Sequence, residues 1–593
     1  MYILGINTGL NASAVLMKDN EILFGVQEER LSRIKNQPGW PELSIQEALR
    51  YCGLTAKDVD KVAIAGKSSK IAHNRQDDLN KFHERYGKIK KAWFGKSENP
   101  FAELASRGWR RLSSSLRGDE CSKELTLEDH LVKSGFSERH VRYDHQTCHA
   151  AAAYYGLARH DNDPYLVFSL DGGGDGRTSA VFIGQNGKLK EIASSDSFSP
   201  ACLYAHITYI LGFIPHEHEY KLMGLAPYAH VKYAEVAKKA LSRFIDFDPG
   251  NPLIFTNTST YPKVRNSRGQ EKQRLVEDLF KTTLGMRFDT LSAGLQLLSE
   301  EVSLKWIKAG IEKTGVRKVL LSGGFFMNVK ANSLIAELPE VEFLNAFPSC
   351  GDESNAFGAA FLCHHDLQAQ GGKGGKIHFA DFCLGPDASS DLEEAKRKYA
   401  DKVRFEKFDD INAEVVKLLL DRKIVARCSG RMEFGARALG NRSILASPND
   451  VRIINTINAA IKKRDFWMPF APAALEDKLD LIVSVPQSLR QSYSPYMMFT
   501  FRTKPEKADS IIAGVHQADK TARAQTINKE IYPAFHDLVQ RFYEKSGITA
   551  VLNTSFNLHG YPIVRGACDA IDVYLNSDLD YLVVDDHLIA KLL

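Results

Sequence analysis

A short pattern of apolar and turn residues occurs twice within the first 200 residues and restricts the fold more than any other feature. Residues 1–30 run YILGI, NTGLN, ASAVLM, KDN and EILFGV before the helical pattern EERLSRIKN; from Pro164 onward, PYLVFSL, DGGGDGRT, SAVFIG, QNGK and LKEIASS repeat that order. Short apolar runs separated by Gly, Asn and Asp read as strands and turns. Each unit is therefore expected to be a three-stranded antiparallel meander with a small, polar first turn. Further on, VRKVLLSGGFFMNVKAN reads as a buried strand ending at Ser322-Gly323-Gly324 and opening a helix, and VEFLNAFPSCGDESNAFGAAFL repeats the arrangement. Ligands in open α/β sheets sit beyond the carboxyl ends of strands, so both loops are expected to line one cleft.

Two such meanders are the layout of the actin, hexokinase and sugar-kinase superfold, whose lobes face each other across a nucleotide cleft and aim backbone N–H groups at phosphate. Two unrelated hairpins are the alternative. The segment DLQAQGGKGGKI, with Gly371, Gly372, Gly374 and Gly375 beside lysines, predicts a linker. The expected organisation is thus α/β throughout: a duplicated actin/hexokinase-like (ASKHA) domain over 1–370, a linker over 371–382 and a second α/β domain over 383–593. In the second region, Gly435, Arg437, Gly440 and Arg442 stand near Lys462 and Arg464. Such a density of forked guanidinium and point-like ammonium groups around flexible turns suits an anion with several oxygens. Solvated surface charge is the alternative, against which count the interleaved Phe434, Leu439, Ile444, Phe466, Trp467 and Phe470.

His145 and His149 fall in YDHQTCHAAAAYYG, an Ala-rich helical run in which i, i+4 spacing stacks both imidazoles on one face. With 18 histidines in the chain that spacing arises readily by chance. A metal needs oxygen ligands too, and Asp352 in SCGDESNAFG and Asp171 in SLDGGGDG are the candidates. Charge bounds the partners: 77 Lys plus Arg against 73 Asp plus Glu gives +4, scattered along the chain, which disfavours nucleic acid. Nine dispersed cysteines fit neither a disulfide framework nor a zinc ribbon and point to a reducing compartment. The start MYILGINTGL lacks a basic region before its apolar run, and no stretch approaches the ~18 apolar residues of a membrane span, so a cytoplasmic protein with no membrane partner is expected.

The ordered set HQTCHAAAAYY, SLDGGGDG, EYKLMGLAPY, LSGGFFMNVKAN, PSCGDESNAFGAA, GARALGNRSIL, KKRDFWMPFAP and LNTSFNLHGYPIV resembles the O-carbamoyltransferases of antibiotic, other natural-product and nodulation-factor biosynthesis. The resemblance covers essentially the whole chain. It implies an N-terminal domain similar to the tRNA threonylcarbamoyl-transfer protein and a C-terminal YrdC-like domain. It also implies two steps: carbamoyl phosphate and ATP give carbamoyl adenylate and pyrophosphate, then the carbamoyl group passes to a hydroxyl of a small natural product (antibiotic, toxin or oligosaccharide), releasing AMP. The implied metal, usually iron (Fe2+/Fe3+), falls on His145, His149 and Asp352 with Asp171 nearby, and Mg2+ accompanies ATP. The implied nucleotide residues are Gly172, Gly173, Lys221, Gly224, Gly323, Gly324 and Asn328. Asn7, Thr8 and Asn11 fall on the acceptor side. Arg437, Lys462, Arg464 and Arg523 match the anion-holding positions, Ser555 with Asn557 matches the serine-x-asparagine element of YrdC-like proteins, and Asn553 is a further catalytic candidate.

Two departures stand out. Members commonly carry His-Asp in the first glycine turn, where this chain has Leu10-Asn11, so the group that deprotonates the acceptor is open. They also often carry a basic residue where this chain has Met468. The alternative activity is a tRNA threonylcarbamoyl transferase, disfavoured by the scattered charge. A hydrogenase-maturation carbamoyl carrier would require a reactive C-terminal cysteine, and a non-catalytic sugar-binding module would consume no ATP.

Overall fold

The computed structural model describes residues 1–68, 71, 75–94, 125–160, 162–257, 270–371, 376–379 and 381–592. Both expected meanders form. Strands β1 (Tyr2–Asn7), β2 (Ser13–Lys18) and β3 (Glu21–Gln27) are antiparallel, and β4 (Lys61–Ala65) and β5 (His140–Tyr143) extend the sheet parallel to β1, in the order β3-β2-β1-β4-β5. The second sheet repeats this plan with β6 (Tyr165–Gly174), β7 (Arg177–Gln185) and β8 (Lys188–Ser195). After the small ribbon β9 (Asp246–Asp248) and β10 (Asn251–Thr256), strands β11 (Lys318–Ser322) and β12 (Phe343–Ala346) join it parallel to β6. β1, β2 and β6 are buried on both faces, which is why they read as continuous apolar runs rather than alternating ones.

The glycine run departs from the expected turn. β6 continues through Gly174 and β7 starts at Arg177, leaving Asp175 (φ 51°) and Gly176 (φ 82°) as a two-residue turn. A hairpin this tight needs positive φ at both positions, which Asp-Gly supplies at little cost.

Two helices, His145–Leu157 and Asn355–Ala369, lie between these sheets. Their small residues are a packing requirement: a Cβ added at Gly358 would sit 1.8 Å from the Cys148 carbonyl oxygen, and Ala150–Ala153 are fully buried. Close approach of the two backbones puts the first turn of one helix beside the first turn of the other.

The second region builds an eight-stranded sheet, which joins its strands in the order 403–407, 587–591, 581–584, 425–428, 442–446, 550–555, 471–475 and 525–527. Its strands are β13 (Val403–Lys407), β14 (Val425–Cys428), β15 (Arg442–Ala446), β16 (Ala471–Leu475), β20 (Gln525–Ile527), β21 (Ala550–Ser555), β22 (Tyr581–Val584) and β23 (His587–Lys591). A smaller sheet joins β17 (Val483–Ser484), β18 (Phe501–Thr503) and β19 (Thr521–Ala522). The architecture is mixed α/β with several mixed sheets.

Of the segment expected as a linker, 372–375 and 380 lie outside the described residues. Its other residues are held down: Lys376 accepts a bond from Asn20, His378 pairs with Glu21, and Phe379 and Phe382 pack on Phe347 and Phe357. One apolar cluster runs from Phe168 and Trp306 to Val425, Leu445 and Phe542, so the two regions share a core. Hydrogen bonds reinforce the seam, among them Gly25 N–H to the Leu384 carbonyl (3.0 Å) and Asn332 Nδ2 to the Met498 carbonyl (3.0 Å). Among the described residues no helix is long and apolar enough to cross a membrane.

Candidate functional site

His145 and His149 open their helix as the spacing predicts, with Asp144 capping it through a 3.0 Å bond from the Thr147 N–H. The structure brings all four expected metal residues together. His145 Nε2 lies 2.6 Å and His149 Nε2 3.2 Å from Asp171 Oδ2, and the same nitrogens lie 3.6 and 3.7 Å from Asp352 Oδ1. Asp171 ends the buried part of β6, and Asp352 precedes the helix Asn355–Ala369. Burial opposes charge on His145, but Asp171 and Asp352 outweigh it and raise its pKa to about 9. Burial likewise opposes ionisation of Asp171, yet the two imidazoles hold it well below the ordinary carboxylate range. Four ligand atoms within 4.8 Å of one another, two imidazole nitrogens and two carboxylate oxygens, form a set that fits a divalent first-row cation.

The surrounding residues orient this set, as outer partners of metal ligands do. Gln146 Nε2 and the Gly173 N–H both donate to Asp171 Oδ1 at 2.7 Å, leaving Oδ2 for the cluster. Asp175 accepts from the backbone N–H groups of His145, Lys67 and Ser68. A Cβ on Gly174 would strike the His145 ring at 2.2 Å, so this glycine makes room for the imidazole. Sequence reasoning missed Gln146, Gly174 and Asp175. All three lie inside HQTCH and DGGGDG, and adjacency to the ligands was the available signal.

The residues expected on the acceptor side hold their own turn. Asn7 Oδ1 accepts from the Gly9 N–H (3.1 Å) and its Nδ2 donates to the Leu10 carbonyl (3.2 Å); Thr8 is buried; Asn11 (φ 55°) donates to Glu353 Oε2 at 3.2 Å. The nucleotide candidates divide into groups. Gly172 and Gly173 (φ 120°) lie in the exposed end of β6, the open Gly324 follows β11, Gly323 (φ 94°) is pressed against the Leu170 backbone, and Asn328 caps the helix Val329–Ala336 while pairing with Gln296. Lys221 and Gly224 instead meet the second region: Lys221 Nζ lies 3.1 Å from Asp465, and Gly224 packs on Met468.

The second-region candidates gather as an unpaired cationic group. Lys462 closes a single π-helical turn, Asn458–Lys462, a distortion that often marks functional positions. Its buried Nζ donates to Ser555 Oγ (3.1 Å), Asn557 Oδ1 (2.7 Å) and the Asn557 carbonyl (3.3 Å). Burial, with Arg464 and Lys35 adding to it, pushes the Lys462 ammonium well below its usual pKa. Burial and neighbouring guanidinium groups push Arg437 down to about 10 and Arg523 well down; burial also lowers Arg464. Yet all three arginines keep partial exposure. No carboxylate among the described residues pairs with any of them, and the Nε atoms of Arg437 and Arg523 have no partner. Desolvated like charges are costly unless an anion joins them.

Two sequence-selected residues serve architecture instead. Arg442, fully buried, spends its guanidinium on the carbonyls of Arg565, Ser429, Gly430, Asn441 and Pro386, so it is not free for an anion. Asn553 is buried in β21, bracing the Ala438 carbonyl and Gln525. Contacts link the second region to the loop that carries Asp352: Gly435 packs on Ser349, whose hydroxyl donates to Glu353, the neighbour of Asp352, and Glu353 and Tyr220 both act electrostatically on Arg437.

The chain is 32% identical to the uncharacterized protein MJ1051 of Methanocaldococcus jannaschii over 99% of both chains, and 28% identical to the nodulation protein NolNO of Sinorhizobium fredii over 98% of this chain and 79% of that one. Component A of the Acidaminococcus fermentans (R)-2-hydroxyglutaryl-CoA dehydratase is 13% identical, covering 62% of this chain and 99% of its own, with a TM-score of 0.33. The family description Carbamoyltransferase N-terminus matches residues 2–361, and Carbamoyltransferase C-terminus matches 416–591. Matched by both halves of one family over most of its length, the chain belongs to the carbamoyltransferases and is an enzyme of that kind.

Proposed function

We propose that the protein is an ATP-dependent O-carbamoyltransferase, which converts carbamoyl phosphate and ATP to carbamoyl adenylate and pyrophosphate and passes the carbamoyl group to a hydroxyl of a small natural product. The observation that supports this most directly is the crowding of Arg437, Arg464 and Arg523 on one another with no carboxylate paired to them among the described residues. Guanidinium forks match phosphate oxygens. In this reading the three arginines hold the phosphate of carbamoyl phosphate, while Lys462, Ser555 and Asn557 hold its carbamoyl end. The YrdC-like activation chemistry belongs to 383–593 and transfer to 1–370. Gly172 and Gly173 at the end of β6, with Gly323 and Gly324 after β11, offer backbone for the nucleotide to approach, with Mg2+ accompanying ATP.

His145, His149, Asp171 and Asp352 would hold a metal, to which we assign iron; such an ion supplies positive charge to a carbonyl or phosphate oxygen. Gln146 and Gly173 keep Asp171 turned toward that position, and Asp175 fixes the helix start that carries both imidazoles. We assign the protein to the cytoplasm, with no nucleic-acid partner. Incubated with carbamoyl phosphate and ATP, the protein should release pyrophosphate without any tRNA, and Lys462→Ala should reduce that release at least a hundredfold while remaining folded. Release by Lys462→Ala at the wild-type rate would remove this site from the reaction.

A further inference from the structure

The helix Glu219–Leu225 belongs to the first region but lies against the second, beside its cationic group. Leu222 and Leu225 are buried and anchor the helix in the core. Other residues of the helix meet the segment that follows Lys462. Lys221 Nζ lies 3.1 Å from Asp465, the Lys221 carbonyl accepts from the Trp467 indole N–H at 3.1 Å, and Gly224 packs on the Met468 sulfur. Lys221 directly follows Tyr220, and Asp465 directly follows Arg464. Pairing of Lys221 with Asp465 therefore brings Tyr220 alongside Arg464.

Tyr220 acts electrostatically on Arg437, Arg464 and Arg523 alike. Its side chain is half-buried, with the ring edge-on to His218 at 6.3 Å between centroids, and its hydroxyl has no hydrogen-bond partner among the described residues. Guanidinium groups only donate, so neither they nor the phenol proton has an acceptor oxygen within this group. Glu353, which also acts on Arg437, does not supply one, because its carboxylate is engaged by Asn11 and Ser349. A set of donors gathered around no acceptor is complementary to an anion with several oxygens, and a hydroxyl adds direction to such a site without adding charge.

We propose that Tyr220 is a further binding residue of the anion site, its hydroxyl donating a hydrogen bond to the phosphate group that Arg437, Arg464 and Arg523 hold. The inference rests on the function proposed above for the identity of that anion, carbamoyl phosphate. The site is then closed across the seam: three guanidinium forks of the second region and one hydroxyl of the first share a single phosphate group.

The test is calorimetric titration of the full chain with inorganic phosphate as the probe. Tyr220→Phe keeps the ring and removes only the hydroxyl, so it should raise the Kd for phosphate about tenfold. Its thermal midpoint without phosphate should stay at the wild-type value, because no protein group loses a partner. Arg523→Met should weaken binding at least as much. In pyrophosphate release, Tyr220→Phe should raise the KM for carbamoyl phosphate by a similar factor and change kcat less. Wild-type phosphate affinity in Tyr220→Phe would overturn the proposal. So would a weakened affinity accompanied by a lowered midpoint, which would give the hydroxyl a structural task, and so would phosphate binding indifferent to Arg523→Met. If the wild-type protein releases no pyrophosphate while the tenfold shift in phosphate affinity persists, the ATP-dependent reading falls and the contact of Tyr220 with an anion stands.

Discussion

Arg437 and Arg442 sit five positions apart in one glycine-rich stretch and look alike in sequence, yet they do opposite things. Arg442 satisfies five carbonyl oxygens in the interior, whereas Arg437 is desolvated beside other cations with its Nε unpaired. Arg442→Met strands those carbonyls and should cost about 3–5 kcal/mol, measured as a fall in the thermal midpoint. Arg437→Met removes one of several crowded like charges and should leave stability unchanged or raised by about 1 kcal/mol, while weakening carbamoyl phosphate binding by tenfold or more. If the two variants melt alike, the division of labour between them is wrong. No pattern in GARALGNRS separates these roles, because partner carbonyls from Pro386 to Arg565 are assembled only by the fold.

Elements were easier to read than side-chain partners. Alternating strand and turn chemistry announced both meanders, and the i, i+4 histidines fell on a helix as spacing required, because those signals are local. The π-helical turn ending at Lys462 was not legible: it depends on where Ser555 and Asn557 stand, nearly a hundred residues away. The glycine run reads as turn for a related reason: β6 runs on to Gly174, where a Cβ would strike the His145 ring, a contact that only the fold assembles. Helix-to-helix approach is the element on which the metal residues depend, and Gly358 sets it. Gly358→Ala should push the two helices apart by tenths of an ångström or more, lowering the thermal midpoint and metal content together. A variant with wild-type metal content but a lower midpoint would show that the cluster tolerates the shift.

At the scale of the whole molecule, the seam carries a pH-sensitive contact. His516 Nε2 lies 2.7 Å from the Gly224 carbonyl oxygen, and burial, aided by Lys330 and Lys520, lowers its pKa from 6.5 to about 4. Asp519 lies 3.2 Å from Nδ1 but is engaged by Lys330, so it does little to hold a proton on the ring. Above pH 6.5 the imidazole is neutral folded and unfolded, and the contact is fully stabilising. As pH falls from 6.5 toward 4 the unfolded chain takes up a proton that the folded chain refuses, and stability is lost by roughly 3 kcal/mol at most. Denaturant midpoints measured across that window should fall less steeply for His516→Gln than for the wild type, and equal slopes would place the acid sensitivity elsewhere.

The bonds across the seam also set an order of events during synthesis. Gly25 at the edge of the first sheet finds its backbone partner only at Leu384, Leu23 receives Arg431, and Gln27 receives Gly435. The opening meander therefore leaves the ribosome long before the residues that cover its edge exist, and an uncovered edge is a template for wrong pairing. A cell making this enzyme must shelter the nascent chain through most of its translation, and faster elongation or a scarcity of chaperones would reduce yield before any finished molecule could be tested for activity.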